Sequence, residues 1–154
     1  FTLNQFNFLN HENIILSNIY FKYFYNAYSI FLDNYLLGSG PKMFRVLCSD
    51  YLLNIPNSCS THPHNIYFQL MSETGIIGFF FVFSLFIYLL YKLITLKNNE
   101  YSIYNVYFFS YLGVILYLWP FTTSNSFFNN YANIVLFIYV AFVINTLKDS
   151  KNVQ

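Results

Sequence analysis

Three stretches of this chain run long without charge. Ile76 to Leu96 carries a single charge, Lys92, near its end; Ile103 to Trp119 carries none and stops at Pro120; Tyr131 to Leu147 carries none and is followed by Lys148, Asp149 and Lys151. A helix that crosses the hydrocarbon of a bilayer needs about 20 largely apolar residues. The pattern therefore predicts transmembrane helices over 76–96, 103–119 and 131–147, followed by a short tail over 148–154. Lys92 sits where a long side chain can reach the headgroups, and Tyr117 and Trp119 suit the interface. The first 75 residues differ. Ile14 to Leu37 is aromatic-rich but interrupted by Asn18, Lys22, Asn26, Ser29 and Asp33. It is long enough to span, yet Lys22 and Asn26 near its middle are costly in hydrocarbon. An amphipathic helix lying on the membrane surface is the favoured reading. Gly38-Ser39-Gly40-Pro41 is expected to end it, with a loop from Lys42 to Ser60 beyond.

Composition strengthens this picture. Charged residues make up 8% of the 154 residues and hydrophobic ones 56%, with a mean hydropathy of +0.43. A soluble domain carries about 25% charged residues, so lipid is the natural solvent for the excess apolar surface. The 20 Phe and 16 Tyr also suit AT-rich codons, but codon bias does not clear charge from particular windows. The formal net charge is +1, with Arg45 the one arginine, which excludes a nucleic-acid-binding face. The chain starts at Phe1 and shows no signal peptide; it reads as the C-terminal part of something longer.

The basic residues orient the spans. Lys92 and Lys97 flank the first connection and Lys148 and Lys151 follow the last span, whereas 120–130 is uncharged. The positive-inside rule then places Lys97 and the C-terminus in the cytoplasm, and residues 1–75 and 120–130 outside. Cys48 and Cys59, the two cysteines, fall in the outer region. In a bacterium that compartment is oxidising, so a disulfide between them is expected to persist and to add roughly 2–3 kcal/mol by closing a short loop. Two free thiols are the alternative.

The stretch richest in candidate chemistry is Thr61 to Gly78, THPHNIYFQLMSETGIIG. Ser60 or Thr61 suits a helix N-cap with Pro63 in the first turn. A helix begun there would stack His64, Phe68, Met71, Gly75 and Gly78 along one stripe, at about 100° per residue. The two glycines would leave room for another helix or a lipid chain, and Glu73 would lie on the opposite face from His64.

These residues resemble a known family. His64-Asn65 followed by Gly75-x-x-Gly78 is similar to the His-Asn…Gly-x-x-Gly signature of O-antigen ligase and polymerase-like membrane proteins. Gly38-Ser39-Gly40-Pro41-Lys42-Met43-Phe44 resembles the glycine turn of that family's large periplasmic loop. The order of amphipathic helix, glycine turn, loop, His-Asn helix and terminal spans is similar too. The resemblance implies an all-α, polytopic integral membrane protein of the bacterial inner membrane, here a fragment of a GT-C-like helical bundle with a periplasmic loop region. It implies a glycosyltransferase that moves polysaccharide from undecaprenyl diphosphate onto lipid A-core at the periplasmic face; three spans cannot enclose a lipid-carrier cavity, so this piece alone is expected to be inactive. Neither metal nor nucleotide cofactor is implied. The family's histidine maps onto His64; an unperturbed imidazole has a pKa near 6.5, which suits a general base, and the leaving diphosphate calls for cations. The family's arginine near the start of the amphipathic helix is missing here, where Asn18, Tyr20 and Lys22 stand. Arg45, with Lys22 or Lys42, is the available substitute.

Plainer readings stand beside these. His64 could be an interfacial histidine without catalytic duty, and Arg45 a headgroup anchor. His62 reads as a neighbouring polar contact, Asn65 as fixing the loop or orienting His64, and Glu73 as an orienting or helix-dipole residue. A zinc site on His62 and His64 lacks further ligands, His11 being distant. Besides ligation, a polymerase joining carrier-linked chains and a transport or assembly protein without chemistry are open, although the spans hold few polar residues to line an ion path.

Overall fold

The computed structural model describes residues 18–51, 57–95 and 101–152, with backbone alone over 101–107 and 146–152. His11, Lys97 and residues 14–17, which entered the sequence reading, lie outside it, as do the side chains of Lys148 and Lys151. The described residues form helices without strands: α1 (Ile19–Asp33), α2 (Phe44–Tyr51), α3 (Ile66–Thr95), α4 (Tyr101–Tyr117) and α5 (Asn130–Asn152). α3 is long and apolar enough to cross a membrane.

Local chemistry sets these boundaries, and three of them correct the sequence reading. Asn18 caps α1, its side chain accepting from the Tyr20 N–H at 3.0 Å. The helix then ends at Asp33, ahead of the glycine turn, because residues 34–37 turn to meet α3 instead of continuing. The segment expected as a loop from Lys42 contains α2. Its first N–H, on Phe44, donates to Glu73 Oε1 at 3.0 Å, so a buried carboxylate from another helix satisfies an end that its own sequence leaves uncapped. α3 starts later than expected. Asn65, rather than Ser60 or Thr61, is its cap, with Oδ1 accepting from the N–H groups of Tyr67 at 3.0 Å and Phe68 at 3.3 Å. Pro63 and His64 therefore precede the helix, and His64 adopts a left-handed backbone with φ 60°. The expected stripe from His64 to Gly78 does not form.

A second break divides α3 at Gly75, whose backbone (φ 67°, ψ −166°) is not helical. That region of φ/ψ space is open essentially to glycine alone. Here the glycine turn meets the helix. Ser39 N–H donates to Ser72 O at 2.9 Å, Gly40 N–H to Glu73 O at 3.0 Å, and Ile76 N–H to Tyr35 O at 2.8 Å. A Cβ on Gly75 would run into the Leu36 carbonyl, and one on Gly38 into the backbone of Glu73 and Thr74. The two glycines thus let one backbone lie on the other, and the carbonyls and N–H groups freed by the kink bond across the contact. Gly78 serves a different end from the expected open stripe: it is helical, and a Cβ there would meet the Thr74 side chain.

Two apolar clusters follow from this arrangement. Tyr23, Ala27 and Ile30 of α1 close on Phe44 and Cys48 of α2, with Phe68 of α3 against them. Leu70, Val82, Phe86 and Leu89 of α3 pack with Tyr111, Val114 and Ile115 of α4, and Leu136 and Val143 of α5 complete the second cluster. The outer faces are equally apolar. Phe81 is 74% exposed, Ile94 75% and Phe137 64%. So wide an exposed apolar surface marks a lipid or protein contact rather than a face for water.

Candidate active site

The site gathers at the N-terminal end of α3, where the loop 57–65, the loop 118–129, α1 and α2 converge. Asn65 joins two of these. Besides capping α3, its Nδ2 donates to Pro120 O at 2.8 Å. Tyr67 Oη donates to Leu118 O at 2.7 Å. Gln69 uses its whole amide: Nε2 donates to Glu73 Oε2 and Ser126 Oγ, both at 2.9 Å, while Oε1 accepts from Phe127 N–H at 2.8 Å. Ser124 N–H donates to the His64 carbonyl at 2.9 Å. The uncharged 118–129 loop is therefore fastened along the top of α3 by a row of amide and hydroxyl groups.

Within this frame His64 is half-buried. Its Nε2 lies 3.1 Å from Ser60 Oγ, and its ring rests among the rings of Tyr20, at 6.0 Å, and Tyr23, at 5.5 Å. His62 sits beside it with ring centroids 4.1 Å apart, bonded through Nε2 to Ser124 O at 3.2 Å and through Nδ1 to Thr61 Oγ1 at 3.0 Å. Burial pushes the His62 imidazole below its ordinary value; the neighbouring His64 and the Arg45 charge push the same way, against the Ser124 carbonyl. Arg45, whose charge is felt at His62, stands in the first turn of α2, where it is exposed. Lys42, at φ 64°, precedes that turn and is also exposed. Lys22 is half-buried on α1, between Tyr20 and Tyr23 in sequence.

The other sequence candidates fall into supporting places. Glu73 is 1% exposed and spends its two oxygens on the Phe44 N–H and Gln69. It faces α2 rather than the histidines. Asn65 holds the 118–129 loop and makes no hydrogen bond to the His64 ring. Cys48 and Cys59 are joined as a disulfide, Cα to Cα 5.4 Å, which ties α2 to the loop that leads to His64. Among the described residues no cluster of metal-ligating side chains occurs. Sequence reasoning passed over Gln69 and Ser126 and took Ser60 only as a helix cap. Gln69 had a signal, a lone amide in an apolar run four residues before Glu73; the contact of Ser60 with His64 had none.

A cleft of about 440 Å³ opens beside Asn65 between Tyr20, Phe24 and Phe68 on one side and Pro120, Phe121 and Thr122 on the other. The cleft thus sets an aromatic-walled opening beside Asn65, the residue that follows His64, at the mouth of an apolar helix.

No curated protein and no solved structure matches the chain. A family of known proteins does. The O-Antigen ligase family matches residues 4–83, more than half of the 154 residues, and the match takes in the glycine turn, Arg45, His64-Asn65 and the Gly75 kink. With the matched segment carrying both interlocking glycines and the histidine between them, the chain belongs to the O-Antigen ligase family.

Proposed function

We propose that the protein is an O-antigen ligase that transfers polysaccharide from undecaprenyl diphosphate to lipid A-core, with His64 as general base. The observation that carries this reading is the placement of His64, in a left-handed backbone, at the head of α3 beside His62, whose imidazole feels the Arg45 charge. Strained conformations of this kind persist where the surroundings enforce them, and they concentrate at functional sites.

In the proposed reaction an acceptor hydroxyl gives its proton to His64 while its oxygen attacks the anomeric carbon. The bond from that carbon to the diphosphate breaks, and the diphosphate leaves with the electron pair. Arg45, assisted by Lys22 or Lys42, meets its charge. Neither a metal nor a nucleotide enters. Glu73 has both oxygens committed elsewhere, so it supports the scaffold. The 76–96, 103–119 and 131–147 windows are the proposed spans of a GT-C-like bundle in the bacterial inner membrane. Residues 1–75 and the 120–130 loop then lie in the periplasm and the 148–154 tail in the cytoplasm. The exposed apolar faces of α3 and α5 support that placement.

The test is a lipopolysaccharide gel from cells in which the gene is deleted, complemented by wild type or by His64→Ala. Loss of the ladder on lipid A-core, accumulation of long carrier-linked polymer and failure of His64→Ala to restore the ladder are expected. Lipid A-core bearing single repeats would instead identify a polymerase. Full rescue by His64→Ala would remove the general-base role.

A further inference from the structure

The residues leading into His64 are anchored one after another. Asn26 of α1, fully buried, donates from Nδ2 to Ser58 O at 2.6 Å. Cys59 is bonded to Cys48 of α2, which is itself fully buried. Ser60, the next residue, places its hydroxyl 3.1 Å from His64 Nε2. Such a chain of attachments is more than a surface loop needs, and it ends at one atom. A hydroxyl at that distance can accept from an Nε2–H or donate to a bare Nε2, so the contact fixes the ring in either tautomer, and the one with the proton on Nε2 leaves Nδ1 free as a base.

We propose that Ser60 is the positioning residue for His64: its oxygen accepts the Nε2 proton, fixes the ring, and leaves the Nδ1 lone pair for the acceptor hydroxyl. The Cys48–Cys59 bridge is the device that holds Ser60 there. The inference rests on the general-base reading of His64 and adds two parts to it. The ring is packed edge-on against Tyr20 and at a tilt against Tyr23 and His62, but such contacts leave a half-turn of the imidazole open, which a directed hydrogen bond opposes.

The test measures kcat and KM separately for transfer from lipid-linked polysaccharide to lipid A-core by the full protein in membrane vesicles. Wild type, Ser60→Ala, Ser60→Thr and His64→Ala are compared, each with and without a thiol reductant. Ser60→Ala is expected to lose about tenfold in kcat, the worth of one directed hydrogen bond, with KM unchanged, and Ser60→Thr to retain kcat. Reduction is expected to lower wild-type kcat in the same way and to add nothing to the loss in Ser60→Ala, since the two changes act on one contact. Wild-type kcat in Ser60→Ala, an equal loss in Ser60→Thr, or a multiplied loss under reductant would each overturn the positioning role while His64→Ala remains inactive. Should Ser60→Ala fail to accumulate, reduction of the wild type decides alone: an unchanged kcat with the bridge shown open overturns the proposal. An active His64→Ala protein would instead remove the general-base reading beneath it.

Discussion

Two glycine contacts of this molecule differ in kind. At Gly75 and Gly38 backbone lies on backbone, both glycines take positive φ, and three main-chain hydrogen bonds cross the contact. At Gly113 a helical glycine of α4 merely receives the Tyr139 ring of α5, whose atoms would lie 2.8 Å from an added Cβ. The same contrast separates the regions around them. The head of α3 is sewn to α1, α2 and the 118–129 loop by directed polar bonds. Away from that head, α3, α4 and α5 meet mainly through Val114, Ile115, Leu136 and their neighbours. Directed bonds fix positions to fractions of an ångström and tolerate little change. Apolar contacts among helices yield and repack.

Substitutions measure the difference. Gly75→Ala should be the most damaging, at about 3 kcal/mol or more, because it adds forbidden backbone to a collision that no side-chain movement relieves; thermal unfolding in detergent would register it, and a variant as stable as wild type would contradict the interlock. Asn65→Ala should cost about 2–3 kcal/mol, combining a lost cap with a Pro120 carbonyl left short of its donor, and should free the 118–129 loop for cleavage by added protease. Gly113→Ala should sit near zero on the same unfolding scale, since the gain in helix propensity of about 1 kcal/mol offsets a small rotation of Tyr139. A large loss there would mean that α4 and α5 are as tightly specified as the head of α3.

A further effect expected is one of pH. His62 is held below its ordinary value by burial, then by His64 and Arg45. The unfolded chain therefore binds the proton more readily than the folded protein in the window below about 6.5. By linkage, stability is full above that value and falls as the pH drops through it. His62→Gln should flatten this dependence between neutral and mildly acid pH in unfolding experiments. An unchanged slope would assign the acid sensitivity to another group.

Much of the scaffold was legible because it depends on one-dimensional pattern. The run from Ile76 and its lone Lys92 pointed to a long apolar helix, and α3 carries it. Asn18 marked a polar break that proves to be the α1 cap. The His-Asn and glycine motifs pointed to the family that residues 4–83 match. The errors share a cause. Ser60, Thr61 and Pro63 form a respectable helix start by local rules, yet Asn65 wins because its amide also reaches Pro120, 55 residues away. α2 was hidden because the acceptor for its first N–H belongs to Glu73, 29 residues later.

Residue type and spacing by themselves determined where the chain is apolar, where the glycines stand and which imidazole stands beside an asparagine. Those properties are local, set by side-chain transfer energies and backbone sterics. Only the tertiary structure decided what each of them meets: that the glycine turn lies in the kink of α3, that Glu73 serves α2, and that Ser60 ends at His64. Each of those partners is distant in the chain or turned towards its neighbour by a backbone conformation, and a hydrogen bond of about 3 Å depends on where the fold puts both atoms.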